Sequence, residues 1–267
     1  METLKHILVP TDFSLNSNNA VRYAIKMAEK CKAKITLLHT YRLISGKHEK
    51  DKDNGVTLKK ELEHVAISKF HHIEELMLKN TSVQYEFLLE VGFLSDRLGA
   101  YTEAEEVNMV IAAHDRSNGS IGTFKSDFDF IIDSLKCPVL LIPEGLNFGN
   151  IEKIVFVCDC SDISNLEVMD TLLAITRMYE AEIDILLINK NDPLTNKNMS
   201  SLSGYLGEVP HSFHVREDDN IEDGVANYLS SEHPDLMALL NRGLNLDELY
   251  AGKKASASEI PLLAFKD

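Results

Sequence analysis

Apolar positions along this chain fall into two rhythms that take turns. Runs of about four to seven apolar residues, as in HILVP (6–10) and PVLLIP (138–143), are separated by longer stretches in which apolar residues recur every three or four positions. The short runs have the length of buried strands, and the long stretches have the period of helices with one face on a core. Their alternation predicts βαβ units wound around a parallel sheet, an α/β fold. In the first half, strands are expected near 5–10, 35–40, 83–90, 108–113 and 138–143. Helices are expected over Asn16 to Lys32, roughly Val56 to Lys79, Phe93 to Glu105 and Ser126 to Leu135. The second half repeats the rhythm, with strands near 153–158, 183–188, 211–216, 235–240 and 260–265. Its segment between the second and third strands is shorter.

The halves also correspond residue by residue. KHILVPTDFSLNSNNAVRYAIKMAEKCKAKITLLHT (5–40) has a faint partner in EKIVFVCDCSDISNLEVMDTLLAITRMYEAEIDILLIN (152–189), and Asp12-Phe13-Ser14 aligns with Asp159-Cys160-Ser161. Such self-similarity reads as a tandem duplication that has drifted. EGLNFGN (144–150), with two Gly and two Asn, is the natural linker, which sets domains at 1–147 and 148–267. SGKHEKDKDNG (45–55) is polar and mixed in sign, as a solvated connection is.

Length agrees, since 267 residues suit two domains of about 130 each. The net charge of −15 is uneven: residues 1–147 hold 18 Lys and Arg against 21 Asp and Glu, and residues 148–267 hold 9 against 21. Nucleic acid and anionic membranes need a basic surface, so neither is an expected partner. No apolar run approaches the ~20 residues of a membrane span, and METLKHILVP lacks the order of a signal peptide, so a cytoplasmic location is expected. The four cysteines, Cys31, Cys137, Cys158 and Cys160, follow neither a disulfide nor a metal spacing and are expected to be reduced.

In an open parallel sheet, ligands bind beyond the carboxyl ends of strands where adjacent crossovers depart to opposite faces. That rule points to the loop VPTDFS (9–14) and to the stretch opening at Ala112. Asp12 there either meets a ligand or caps the helix beginning near Ser14. GSIGTFKS (119–126) brushes against a P-loop, but Phe124 stands where a glycine is required. Cys158 and Cys160 flank Asp159 with nothing basic nearby to lower a thiol pKa. His71 and His72, adjacent on a helix, do not converge on one metal, and GKK (252–254) reads as a solvated helix end. No spacing supports a catalytic constellation, so nothing argues for an enzyme.

HILVPTDFSLNSNNAVRYAIKMAEKCKAKITLLHTY, then HDRS after the fourth strand, then CPVLLIPE, together resemble the universal stress protein family. The resemblance covers the first half and is weaker in the second, where it rests on PDLMALL (234–240) and IPLLAF (260–265). It implies two tandem doubly wound parallel five-stranded sheets, Rossmann-like, in strand order 3-2-1-4-5. Family dimers pair through their last strands, so it also implies an internal pseudo-dimer in which CPVLLIP meets IPLLAF. That pairing would dispose of two apolar sheet edges.

Many family members bind ATP. Carried over by motif, Pro10, Thr11 and Asp12 match the adenine-side loop, and Thr40 falls at the end of the second strand, whose backbone also meets adenine. Arg116 keeps its place in HDRS and Ser126 keeps the phosphate-side hydroxyl. Ala112, Asp115 and Lys125, however, stand where the phosphate motif G-x2-G-x9-G-[ST] has its three glycines. Side chains there obstruct close approach of backbone N–H groups, and the Asp115 carboxylate would oppose a triphosphate by roughly 1 to 4 kcal/mol. The expectation is a stress-response protein acting by binding an unidentified protein partner, with no cofactor retained. The alternative is an ATP or AMP sensor, or weak ATPase, using the first half only. A further homodimer stays open.

Overall fold

All strands join one continuous sheet in a computed structural model of this chain, which describes residues 4–43, 52–115, 120–121, 132, 135–158, 169–188, 195–216, 221–241 and 259–266. The first half runs β1 (His6–Pro10), α1 (Leu15–Cys31), β2 (Lys34–Tyr41), α2 (Lys52–Ile73) with a π turn (Glu74–Leu78), and β3 (Gln84–Val91). It continues with α3 (Leu94–Ala104), β4 (Met109–Asp115), β5 (Ser120–Ile121) and β6 (Val139–Pro143). The second half runs β7 (Lys153–Cys158), α4 (Asp170–Tyr179), β8 (Glu182–Ile188), α5 (Thr195–Leu206), β9 (His211–Arg216), α6 (Ile221–Glu232), β10 (Leu236–Asn241) and β11 (Leu262–Lys266).

The strand order is β3-β2-β1-β4-β6-β11-β10-β7-β8-β9, so each half keeps the order 3-2-1-4-5. Pairing is parallel within the two five-strand sets; β6 meets β11 antiparallel, with Leu140 opposite Leu263 and Leu141 opposite Leu262, and the short β5 pairs antiparallel with β4. CPVLLIP and IPLLAF therefore pair, and the two sheets merge into one. These four leucines are at most 1% exposed. Burying each stabilises by about 1.5–3 kcal/mol relative to exposure, so parting the halves would cost several kcal/mol.

Alternate strand residues feed two core layers that both cross this seam. Ile7, Val9, Ile35 and Leu37 share one with Ile154, Phe156 and Ile183. Leu8, Leu38 and Val110 share the other with Val155, Val157 and Leu186. Helix α1 lies on the first layer because Ala20, Val21, Ala24, Met27 and Ala28 recur at the helical period. The Ser14 side chain caps its start, and Lys32, at φ 59°, ends it in the left-handed conformation.

Two expected boundaries move. The second helix begins at Lys52, and after Ile73 it widens into the π turn, in which the Lys79 N–H reaches Glu74 O at 2.9 Å. Strand β4 runs to Asp115, two residues beyond its expected end, and β5 folds back on it. The expected helix over Ser126 to Leu135 lies almost wholly outside the described residues.

Candidate functional site

At the carboxyl edge of the first half, backbone pairing continues past the end of β1: Pro10 is in register with Leu38, and the Thr11 N–H donates to Leu38 O at 2.8 Å. Side chains then wind the loop tightly. Thr11 Oγ1 accepts the Phe13 N–H at 3.0 Å, Asp12 Oδ1 accepts the Ser14 N–H at 2.9 Å, and Ser14 Oγ accepts the Ser17 N–H at 3.1 Å. Ser14, not Asp12, is thus the helix cap, and Asp12 braces it. This turn holds Phe13 at φ 66°, with its ring 4.4 Å from His39 and 5.1 Å from Phe70 and the Lys69 ammonium 5.2 Å above it. The His39 Nδ1–H donates to the Thr11 carbonyl at 2.7 Å. Burial holds the His39 imidazole below its ordinary value; Lys69 adds to this, and the Thr11 carbonyl and Asp12 oppose it.

Pro10, Thr11, Asp12 and Thr40 come together on these neighbouring edges. Thr40 is 5% exposed, and its Oγ1 has no hydrogen-bond partner among the described residues. Ala112 does not open a loop. It lies within β4, 1% exposed and in register with Leu141, and the strand continues until His114 pairs with both Pro143 and Ile121. The extension is held by neighbours on both sides, which local sequence does not reveal. Arg116 and Ser126 lie outside the described residues, as do Lys125, Asp159, Cys160 and the GKK segment.

In the second half, registers with β1 and β7 align Met109 with Leu236, so Leu239 occupies the position of Ala112. Leu239 is fully buried, a still bulkier occupant of a glycine position. Cys31 and Cys137 carry free thiols, and burial pushes Cys137 up to about 12. Near His71 and His72, Glu74 accepts the Tyr85 hydroxyl at 2.6 Å and Glu75 pairs with Lys79 at 2.9 Å. No group of three or more His, Cys, Asp or Glu poised to hold a metal occurs among the described residues.

A second polar centre, at the amino edge and on the opposite face from α1, escaped the sequence reading. Asp184 of β8 is 5% exposed and accepts from the Tyr228 hydroxyl (2.8 Å), Lys153 Nζ (3.0 Å), His214 Nε2 (3.1 Å) and the Ser212 hydroxyl. In the first half Glu86 accepts from Tyr101 (2.9 Å), Thr36 (2.7 Å) and Lys34 (2.8 Å). Thr36 faces Glu86 across β2 and β3 as Asp184 faces Ser212 across β8 and β9, so carboxylate and hydroxyl have exchanged strands. The signal was a polar third residue in KITLLHT and EIDILLI. Nearby, Asn108 Oδ1 accepts the Lys5 and His6 N–H groups at 2.8 and 2.9 Å, and Asp235 Oδ2 accepts those of Glu152 and Lys153 at 2.9 and 3.0 Å. These repeated ties hold strands in place.

The universal stress protein family matches residues 3–143, and this chain belongs to that family. Its fold is similar to that of a universal stress protein from Archaeoglobus fulgidus, 13% identical with a TM-score of 0.69 over 98% of both chains. A Pseudomonas aeruginosa protein of unknown function is similar at 12% identity and TM-score 0.60, over 98% of this chain and 92% of that one. The cytoplasmic domain of a prokaryotic cation chloride cotransporter is similar at 13% identity and TM-score 0.54, over 97% and 94%. No curated protein matches the chain in sequence. Among the described residues no helix is long and apolar enough to cross a membrane.

Proposed function

We propose that this chain is a cytoplasmic stress-response protein of the tandem universal stress type that acts by binding a protein partner, with the nucleotide phosphate site lost from both halves. The course of β4 carries the proposal. A phosphate cradle needs consecutive backbone N–H groups free to converge on one point. Residues 112–114 instead stay in register with β6, and His114 and Asp115 also pair with β5. In a strand, successive N–H groups point to opposite sides and are spent on the ladder. Leu239 fills the corresponding position in the second half. The net charge of −12 over residues 148–267 suits a basic partner.

Calorimetric titration with magnesium ATP tests the proposal. No saturable binding is expected up to about millimolar nucleotide. Micromolar affinity that disappears in Asp12→Ala would overturn it in favour of an ATP or AMP sensor of the first half. The observation favouring that alternative is the intact Thr11-Asp12 turn, docked on Leu38 as a base-side loop would need.

A further inference from the structure

The first turn of α3 stands at the carboxyl edge beside β2 and β3, away from the loop after β4, and it is uncapped. Phe93 occupies the N-cap position, where it has no acceptor to offer, and it makes no side-chain cap bond. The N–H groups of Leu94, Ser95 and Asp96 therefore carry the positive end of the helix dipole toward that edge. Thr40 lies beneath this turn. On β2 the residues facing α3 are Thr36, Leu38 and Thr40: Thr36 Oγ1 is 3.4 Å from the Tyr101 hydroxyl, and Leu38 packs in one cluster with Leu94 and Leu98. The strand rises about 3.3 Å per residue while the antiparallel helix runs back at about 1.5 Å, which brings Thr40 level with the start of α3. Its hydroxyl, on a residue 95% buried, has no partner among the described residues.

Two guanidinium groups flank the same turn. Arg42 lies over the Phe93 ring, 5.2 Å from its centroid. Arg97 donates its Nε–H to Val91 O at 2.8 Å and folds against Gly92, where a Cβ would come within 2.9 Å of that nitrogen. Gly92 sits at φ 140°, so the turn favours glycine there. The carboxylates in the neighbourhood are Glu90, 4.0 Å from Arg97 Nη1, and Asp96 in the first helical turn. Glu90 is also the register partner of Thr40. The N–H groups, the buried hydroxyl and the Arg42 fork at this spot can each donate a hydrogen bond.

We infer that the junction between the end of β2 and the first turn of α3 binds a small oxyanion of the phosphate or carboxylate class, held by the first N–H groups of α3, Thr40 Oγ1 and Arg42. The site is separate from the loop after β4 and does not depend on the proposed function. Glu90 and Asp96 select against highly charged polyphosphates and favour a small ion.

Titration of the full chain with inorganic phosphate against sodium chloride of equal ionic strength, followed by amide chemical shifts, tests it. Saturable shifts are expected at residues 40 and 93–97, with affinity about tenfold weaker in Arg42→Gln and in Thr40→Val. Thr40→Val keeps the side-chain shape and removes an unsatisfied hydroxyl, so the ligand-free protein should melt at the same temperature or higher. The inference is overturned by unsaturated or absent shifts at these amides up to about 50 mM phosphate, or by unchanged affinity in both variants. A lowered ligand-free melting temperature in Thr40→Val would also overturn it, because the hydroxyl would then be satisfied within the protein.

Discussion

The Tyr228 hydroxyl donates to the buried Asp184 carboxylate at 2.8 Å, and the first half repeats this tie between Tyr101 and Glu86 at 2.9 Å. Tyr101 and Tyr228 each lie eight residues before the aligned strand starts Met109 and Leu236. Each pins a helix to the sheet through a polar bond to a carboxylate.

Tyr228→Phe keeps the ring and removes the donor. Because Tyr228 is 1% exposed, urea denaturation should show a loss of about 1–3 kcal/mol. Tyr101→Phe should cost less, since the Glu86 side chain is 42% exposed and water can replace the lost donor. Equal losses would contradict this ordering.

Acid should release the Asp184 tie within a defined window. Burial alone would raise this carboxyl, but the hydrogen bonds from Ser212, Lys153, Tyr228 and His214 outweigh it and hold it at about 2 against an ordinary 3.8. A carboxylate with a depressed folded pKa contributes stability above its unfolded pKa and loses it as pH falls through the folded value. Stability followed by denaturation should therefore fall between pH 3.8 and about 2, and Asp184→Asn should flatten that part of the profile.

Asn108→Ala frees two strand-starting N–H groups in the first half, and Asp235→Ala does the same in the second. Each should destabilise by about 1–2 kcal/mol. The sites share no partner, so the double variant should lose nearly the sum by chemical denaturation.

Because the antiparallel seam buries leucines from both halves, the halves should unfold as one cooperative unit. Calorimetry should show a single transition for the full chain. Leu263→Asp, at a fully buried position opposite Leu140, should increase hydrogen exchange in β4 as well as in β10. Loosening confined to β10 and β11 would refute this.

Lys32 and Glu180 end helices α1 and α4 at φ 59° and 54°. Glycine adopts this backbone without the steric cost, so Lys32→Gly and Glu180→Gly should each leave thermal stability unchanged or raise it by up to about 1 kcal/mol.

The hydrophobic rhythm alone located the ten strands of the two five-strand sets to within about two residues, because the periods of strand and helix are local properties of the backbone. The pairing of CPVLLIP with IPLLAF was implied by the family resemblance, and the need to cover two apolar sheet edges agreed with it. The boundary at Ala112 was not legible in the sequence. His114 extends β4 by pairing with Pro143 and Ile121, and only the first of these was a foreseeable neighbour.

Sequence thus determined the order of elements, the duplication and the residues offered at the carboxyl edge, all of which depend on near neighbours in the chain. Tertiary structure decided that Asp12 braces a Ser14 cap, that Ala112 stays inside a strand, and that Thr40 ends beneath an uncapped helix. It also decided that carboxylate and hydroxyl exchange strands between Thr36–Glu86 and Asp184–Ser212. The Asp12–Ser14 brace is a contact two residues apart, decided by how the loop docks on β2. The other outcomes depend on which strands lie side by side and which helix crosses them, and such contacts join positions tens of residues apart that no local period links.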